Sequence, residues 1–426
     1  MGKYKICVVG LGYVGLPLAR LFSTKYETVG FDMNQSRVDN LMSGHDATKE
    51  VSDELLQEAI KKGFRCTTNI DDIKSCNIYI VAVPTPVDVN NRPDLRPLWG
   101  ASETVGKVIS IGDIVIYEST VYPGVTEEEC IPVVERVSGL KFNKDFFAGY
   151  SPERINPGDK LHTVDKIKKV TSGSTPEIAD IVDGLYNSVL VNGTHKASSI
   201  RVAEASKIIE NSQRDVNIAF MNELAKIFNA MGIDTHDVIE AAASKWNFIK
   251  LSPGLVGGHC ISVDPYYLIQ KAQVYGVLPR VMSSARRLND GMGDYVANQT
   301  IKLMNKKGVM VKDARILILG VTFKENCPDI RNTKIVDIYH TLKEYTGNIT
   351  VYDPWANPQD VKKEYDIDIV KGGIEDLKGT MDAVILGVSH QEFLSLEVRS
   401  FLRNQKDGVV YDVKGILPRD VIDGRL

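Results

Sequence analysis

The feature that most constrains this chain is a glycine pattern directly after its first apolar run. Gly10, Gly12 and Gly15 follow residues 4–9, and Asp32 follows the next apolar run, residues 27–31. A glycine-rich turn between a strand and a helix lets backbone N–H groups approach a pyrophosphate, and an acid about 20 residues further on accepts the ribose hydroxyls. The pattern therefore predicts a dinucleotide site. Because the carboxylate of Asp32 would repel a 2′-phosphate, it favours NAD over NADP.

Short β-branched runs continue through the first half of the chain and alternate with helical patterns. Continuous apolar runs separated by helices are typical of a parallel sheet that is covered on both faces. We therefore expect an α/β domain that ends near residue 196. The predicted strands are residues 4–9, 27–31, 78–83, 114–117, 168–171 and 189–191.

A single long helix is predicted for residues 197–231, which contain no Gly or Pro. At about 1.5 Å per residue it would approach 50 Å, so it is expected to bridge domains or to pack against a partner subunit. Further helical patterns run to about residue 305. The apolar residues at helical spacing are Val216, Ala219, Phe220, Leu224, Ile227 and Phe228.

Buried strand patterns return in the last third, at residues 315–320, 349–352, 383–387 and 409–413. They predict a second, smaller doubly wound domain. The expected fold is therefore α/β, with two Rossmann-like doubly wound domains joined by a long central helix and a helical dimerisation region. The predicted domains are residues 1–196, 197–305 and 306–426.

Charge and cysteine content exclude several classes of function. The 426 residues include 51 basic and 55 acidic ones, a net charge of −4, which disfavours a nucleic-acid or anionic-membrane binder. Six cysteines without a CxxC pair indicate a reducing, cytoplasmic compartment, and seven histidines without an HxxxH or HExxH pair give no support for a metal site. We expect neither a signal peptide nor a membrane span.

Cys260 differs from the other cysteines because Gly257 and Gly258 precede it closely. Backbone can be approached closely there, which suits a nucleophile. Lys207 and Asn211 lie four residues apart and share one face of the predicted long helix. For such a pair, sequence alone favours solvent exposure.

Six motifs in order along the chain closely resemble the UDP-glucose/GDP-mannose dehydrogenase family. In that family an N-terminal Rossmann domain binds NAD, a long central helix forms the core of a dimer, and a C-terminal Rossmann-like domain binds the nucleotide of a sugar nucleotide. The motifs are Gly10-Leu11-Gly12-Tyr13-Val14-Gly15, Glu118-Ser119-Thr120, Ser151-Pro152-Glu153-Arg154, Lys207 with Asn211, Gly257-Gly258-His259-Cys260, and Phe323-Lys324 with Arg331.

The resemblance implies roles for individual residues. Cys260 would be the nucleophile and Lys207 the cation that faces the reacting oxygen, while Asn211 and Asp264 would hold that oxygen or a water. Thr120 and Glu153 would place the hydrolytic water. The residues implied in NAD binding are Gly10, Gly12, Tyr13, Val14, Gly15, Asp32, Arg37, Thr85, Thr120 and Arg331, and those implied in substrate binding are Glu153, Arg154, Lys207, Asn211, Gly257 and Lys324.

Two positions bear on the substrate. Val263 and Pro157 stand where UDP-glucose dehydrogenases typically carry a lysine and a second glutamate, and residues 245–260 resemble the branch that acts on UDP-N-acetylglucosamine or UDP-N-acetylgalactosamine. The expected reaction is a two-step, NAD-dependent oxidation of the C6 alcohol to the uronate, for surface polysaccharides. Nothing in the sequence chooses the epimer. UDP-glucose, UDP-N-acetylmannosamine and GDP-mannose remain alternatives.

Two other classes of function remain open on the sequence. One is a dehydrogenase that performs a single oxidation with a catalytic lysine and no nucleophile, as hydroxyacid dehydrogenases do. The other is a non-catalytic partner that binds NAD or takes part in polysaccharide assembly. Neither class needs a thiol in the loop that carries Cys260, so this residue distinguishes them from the family interpretation. The expected partners of the chain are a UDP-sugar and a second copy of itself.

Overall fold

The computed structural model describes residues 4–88, 92–154, 164–258, 261–370 and 372–426. The chain divides into two compact units. The first unit comprises Met1–Glu210 with Tyr266–Gly276, and the second comprises Asn211–Pro265 with Val277–Leu426. The three-domain division at residues 196 and 305 stays a prediction.

The first unit is built on a sheet of eight strands in the order β3-β2-β1-β4-β5-β6-β7-β8. Its first six positions have the strand order of a doubly wound dinucleotide-binding fold. Neighbouring strands are parallel except β6 and β7, which are antiparallel. The strands are β1 Lys5–Val9, β2 Glu27–Phe31, β3 Arg65–Thr67, β4 Ile78–Val81, β5 Ile114–Tyr117, β6 Phe147–Tyr150, β7 Lys169–Gly173 and β8 Thr194–Lys196.

The helices cover the sheets and connect the strands. In the described part of the chain they are α1 Gly15–Phe22, α2 Gln35–Met42, α3 Asp53–Lys61, α4 Arg96–Gly106, α5 Ile131–Ser138, α6 Pro176–Val189, α7 Ile200–Met231, α8 Thr235–Ala243, α9 Asp264–Val274, α10 Arg280–Asp290, α11 Met292–Lys306, α12 Ile335–Lys343 and α13 Pro358–Tyr365.

The strand prediction for residues 189–191 is wrong. Helix α6 extends to Val189, because Ile178, Val182, Leu185 and Val189 form one buried helical face, and β8 begins only at residue 194. Strands β3 and β6 were not predicted. In β6 the apolar pattern is interrupted by Gly149. The structure requires glycine there, because a Cβ would lie 2.9 Å from the backbone oxygen of Ser172 on the neighbouring strand.

The second unit contains a sheet of five parallel strands in the order β10-β9-β11-β12-β13. This is the other common order of doubly wound folds. The four predicted strands are confirmed to within a residue at each end, and the two-residue strand β13 was not predicted. The strands are β9 Ile316–Leu319, β10 Ile349–Tyr352, β11 Ala383–Leu386, β12 Val409–Asp412 and β13 Gly424–Arg425.

The predicted long helix is confirmed as α7, which has 32 residues. It begins at Ile200 rather than at residue 197, because the backbone N–H of Ala197 still donates to Thr171 of β7. The division between the two compact units falls within this helix, after Glu210. A search of the described residues finds no helix with the length and apolar character needed to cross a bilayer.

A buried carboxylate stabilises the turn after β9 in the second unit. Asp353 follows β10 and is 5% exposed. Its Oδ2 accepts from the backbone N–H groups of Val321 at 2.7 Å and Thr322 at 3.1 Å, and its Oδ1 accepts from those of Trp355 and Ala356. Burial alone would raise the pKa of Asp353, but His390 and the backbone N–H groups hold that pKa below its usual value.

We expect Asp353→Asn to lower the unfolding stability of the intact chain by about 2–4 kcal/mol, because the amide would point a donor at backbone donors. The midpoint of urea unfolding measures the loss. Asp368→Asn is the matched control, since Asp368 is exposed and, among the described residues, pairs with a surface lysine, Lys362. Its expected effect is within about 0.5 kcal/mol. Equal midpoints for the two variants would contradict the role given to Asp353.

Candidate cofactor and catalytic sites

The glycine turn after β1 has the close contacts that its pattern predicts. Gly10 has a φ of +92°, and a Cβ on it would lie 2.9 Å from the backbone oxygen of Ala82. A Cβ on Gly15 would lie only 1.8 Å from the carbonyl oxygen of Gly10. Side chains at either position would therefore push α1 away from the sheet, so both residues must be glycine for this turn to form.

The N-terminus of α1 has room for an anion beside Gly12. Gly12 is exposed, and a Cβ built on it meets no atom within 4 Å. The N-cap residue, Val14, provides no side-chain acceptor, and the first turn contains no acidic residue. The first backbone N–H groups of α1 can therefore bind a pyrophosphate, which the helix dipole also favours. Tyr13, half-buried in the same turn, lies beside this space.

Asp32 lies at the end of β2 and is held against the glycine turn. Its Oδ2 accepts from the N–H of Leu11 and its Oδ1 from the N–H of Asn34, both at 2.9 Å. A carboxylate offers about four lone-pair sites, so ribose hydroxyls can still bind. Arg37 donates from Nε and Nη2 to the carbonyl of Leu11, and its Nη1 lies 2.8 Å from a buried carboxylate, Asp46. Contacts within the protein therefore hold both residues beside the turn.

Thr85 and Thr120 follow the neighbouring strands β4 and β5 and are joined directly. The hydroxyl of Thr85 donates to the carbonyl of Thr120 at 2.7 Å. The backbone carbonyl of Thr85 in turn accepts from the hydroxyl of Tyr267, a fully buried residue of α9. Because parallel strands end at one edge of the sheet, these residues lie at the same edge as the glycine turn.

Glu153, which follows β6, belongs to a buried charge network that the sequence analysis missed. Glu118, Lys169 and Glu153 are 0%, 0% and 7% exposed. The ammonium of Lys169 lies 2.5 Å from Oε2 of Glu118 and 3.6 Å from Oε2 of Glu153. The hydroxyl of Tyr186 donates to the other oxygen of Glu118. One signal was available, since Lys169 is a charged residue inside a predicted buried strand.

Lys207 is buried on α7, against the expectation of solvent exposure. It is 7% exposed, and no described residue makes a hydrogen bond or an ion pair with its ammonium group. A largely buried lysine whose charge no described side chain neutralises suits a site for a negatively charged group.

Asn211, one turn further along α7, is also buried, at 5% exposure. Its side-chain amide donates to Oδ2 of Asp264 at 2.5 Å, and Asp264 is 3% exposed. Asp264 is the first residue of α9 and follows the loop that carries the predicted nucleophile. The structure thus brings together Asn211 and Asp264, the two residues that the resemblance implies hold the reacting oxygen or a water.

Gly257 and Gly258 pack closely against residues that follow β9. Gly258 has a φ of +83°, a Cβ on it would lie 2.7 Å from the ring of Phe323, and a Cβ on Gly257 would lie 2.7 Å from the backbone oxygen of Asn332. The amide of Asn332 and the hydroxyl of Ser262 both donate to the carbonyl of Gly258. Cys260 and its neighbour at position 259 lie outside the described residues.

The remaining predicted site residues are placed as follows. Lys324 is half-buried beside Phe323, and Arg331 binds Asp329 through Nε at 2.9 Å. Nη2 of Arg154 is 2.7 Å from a carboxylate oxygen of Glu210 on α7. The roles of these residues stay predictions. In the described ranges, no group of three or more His, Cys, Asp or Glu side chains could hold a metal ion.

Three family models match the chain in order. They are the NAD-binding domain of the UDP-glucose/GDP-mannose dehydrogenase family at residues 4–190, its central domain at residues 201–291 and its UDP-binding domain at residues 317–419. The glycine turn and Asp32 lie in the first match, and Lys207, Asn211 and Asp264 lie in the second.

Similar proteins cover the chain from end to end. It is 56% identical to UDP-N-acetyl-D-glucosamine 6-dehydrogenase of Pseudomonas aeruginosa, over 100% of both chains. It is 52% identical to the protein of the same name in Salmonella typhi, over 100% of this chain and 99% of the other. The solved structure of UDP-D-ManNAc dehydrogenase from Pyrococcus horikoshii has a TM-score of 0.89 at 29% identity, over 99% and 98% of the two chains.

We expect Asp32→Ser to lower the preference for NAD over NADP by at least about tenfold, or roughly 1.4 kcal/mol. The change removes an acceptor for ribose hydroxyls and a charge that repels a 2′-phosphate. The ratio of kcat/KM for the two cofactors measures it. Asp39→Ser, at an exposed carboxylate on α2, should leave the ratio unchanged. A preference that survives Asp32→Ser would remove Asp32 from this role.

Proposed function

The chain belongs to the UDP-glucose/GDP-mannose dehydrogenase family and is an NAD-dependent nucleotide-sugar dehydrogenase, and we propose that its substrate is UDP-N-acetylglucosamine. The product would be the corresponding uronate, formed by two oxidations at C6. The observation that carries the proposal is 52–56% identity, over the full length, to two proteins named as UDP-N-acetyl-D-glucosamine 6-dehydrogenases. Those names also favour the gluco epimer over the galacto epimer.

The proposed reaction consumes one water and two NAD for each sugar nucleotide, and releases a carboxylate, two NADH and three protons. NAD held at the glycine turn and Asp32 would supply the hydride acceptor for each oxidation. Between the two, the thiolate of Cys260 adds to the C6 aldehyde and forms a thiohemiacetal, which keeps the aldehyde from escaping. The second oxidation leaves a thioester on Cys260. Water then breaks the C–S bond and returns the thiol.

Lys207 would stabilise the negative charge that develops on the C6 oxygen at each stage. The side chain of Lys207 is 7% exposed and no described residue pairs with its ammonium group, so its charge is available to an oxyanion and is screened less than at an open surface. Asn211 and Asp264 would hold the reacting oxygen or a water through their mutual hydrogen bond.

Thr120 and Glu153 would place the water that hydrolyses the thioester. Both follow neighbouring parallel strands, β5 and β6, so their side chains start from one edge of the sheet. A carboxylate at Glu153 can accept the proton that this water loses when it attacks the carbonyl carbon. Glu153 would thus act in the last chemical step rather than in hydride transfer.

The other predicted site residues would bind the two nucleotides. We propose that Gly257 and Lys324 contact the sugar nucleotide together with Arg154, and that Arg331 contacts NAD. The close packing of the loop at Gly257 and Gly258 on Phe323 supports this, because it fixes a predicted catalytic loop beside the Phe323-Lys324 motif of the UDP-binding domain.

We propose that the chain acts as a homodimer or a higher homo-oligomer through α7. Exposed apolar side chains recur on one face of this helix, which is unusual for a surface that faces only water. They are Val202, Ile209, Phe220, Ile227 and Met231, between 46% and 63% exposed.

We further propose a cytoplasmic location and a role in supplying uronic acid units for surface polysaccharides. Cys7, Cys66, Cys76 and Cys130 are buried free thiols, as expected in a reducing compartment. NAD and nucleotide sugars are both consumed by the proposed reaction, so the enzyme must work where both are available.

We expect the wild-type enzyme to form two NADH for each uronate, and Cys260→Ala to lower uronate formation by roughly three orders of magnitude or more. NADH absorbance and product mass measure the two quantities. NAD affinity and the unfolding midpoint of the variant should match the wild type. One NADH per product would favour a single-step dehydrogenase, and full uronate formation by Cys260→Ala would exclude the covalent route.

We expect UDP-N-acetylglucosamine to have the highest kcat/KM in a panel with UDP-N-acetylgalactosamine, UDP-N-acetylmannosamine, UDP-glucose and GDP-mannose. Val263 is uncharged and buried where UDP-glucose dehydrogenases typically have a lysine, so hydroxyls of glucose lose a partner. Pro157, the second such position, lies outside the described residues. Steady-state NADH formation ranks the substrates. A higher value for UDP-glucose would overturn the substrate while leaving the family unchanged.

A further inference from the structure

Three residues that have no role in the proposed mechanism form a buried cluster with Glu153. Glu118 follows β5, Lys169 lies on β7 and Tyr186 lies on α6. All three are completely buried. A fourth group, Glu50, is half-buried in the loop before α3 and repels Glu153 electrostatically.

The balance of charge in this cluster depends on Lys169. Burial raises the pKa of Glu118 to about 7 against the opposing attraction of Lys169. Burial and the charges of Asp46 and Glu153 raise the pKa of Glu50 to about 7 as well. Burial alone would lower the pKa of Lys169, but Glu118 and Glu153 hold that pKa above its ordinary value. Among the described residues, Lys169 is the cation that lies beside both Glu118 and Glu153.

Glu118 holds the cation in place. One oxygen of Glu118 binds Lys169 at 2.5 Å and the other accepts from Tyr186, so neither the carboxylate nor the ammonium can turn away. The ammonium also lies 5.5 Å from the centre of the Tyr186 ring. This leaves Lys169 Nζ 3.6 Å from the nearer oxygen of Glu153.

We infer that Lys169 is a positioning residue for thioester hydrolysis: it holds the Glu153 carboxylate in one orientation. The inference rests on the proposed role of Glu153. The carboxylate can accept the proton of the attacking water only from an orientation that faces this water. Without the ammonium, Oε2 of Glu153 would lose the ion pair at 3.6 Å that fixes this orientation.

The test compares Lys169→Met with the double variant Glu118→Gln/Lys169→Met. The single variant leaves Glu118 buried without its cation, which can weaken the fold. The double variant removes both charges together, so the cluster stays balanced while Glu153 still loses its cation. Lys168→Met is the matched control, since Lys168 is the exposed neighbour of Lys169 in the sequence.

We expect both the single and the double variant to lower kcat for uronate roughly tenfold to hundredfold, with little change in KM for the sugar nucleotide. Loss of a general base costs about 10²–10⁴-fold, and a misplaced one costs less. Hydride transfer should continue, so rapid mixing should show a burst approaching two NADH per active site. Intact mass should show the acyl-enzyme on Cys260.

Recovery of wild-type kcat in the double variant would overturn the inference, because Lys169 would then serve only to neutralise Glu118. Unchanged kcat in Lys169→Met would overturn it as well. If the single variant does not fold, the double variant decides. The proposed function fails separately, on the wild-type chain, if no sugar nucleotide yields NADH.

Discussion

The contact between α1 and the turn after β1 is the constraint on which the first unit depends. A Cβ on Gly15 would overlap the carbonyl oxygen of Gly10, so the helix starts as close to the strand as backbone allows. This places the N–H groups of α1 at the carboxyl edge of the sheet. Because β4, β5 and β6 run parallel to β1, the segments that follow them end at the same edge. Thr85, Thr120 and Glu153 therefore lie at the same edge of the sheet as the glycine turn.

The same arrangement occurs in both units, with different outcomes. In each, an acid at the end of the second strand binds the turn that follows the first. Asp32 accepts two backbone N–H groups and stays half-buried, which leaves lone pairs for a ligand. Asp353 accepts four and also faces His390, and it is buried. The carboxylate of Asp32 can still accept hydrogen bonds from a ribose, whereas that of Asp353 is used within the protein to stabilise the turn.

The sequence predicted the features that depend on neighbouring residues, namely the glycine turn, Asp32 and helix α7. The family resemblance assigned Asn211 and Asp264 to one site, and in the structure their side chains are hydrogen-bonded. The strand predicted at residues 189–191 is wrong because the end of an amphipathic helix can have the same short apolar run as a strand, and Val189 ends α6. The pairing of Glu118 with Lys169 joins residues that are 51 positions apart, across strands of opposite direction. No periodicity in the sequence encodes such a pairing.

Lys207 has an electrostatic consequence of its own. Its side chain is 7% exposed, and no described residue makes an ion pair with its ammonium group. Water screens a charge less where a side chain is largely buried than at an open surface. An oxyanion that forms beside Lys207 would therefore be attracted more strongly than by a surface lysine, and no carboxylate of the described residues would have to be displaced first.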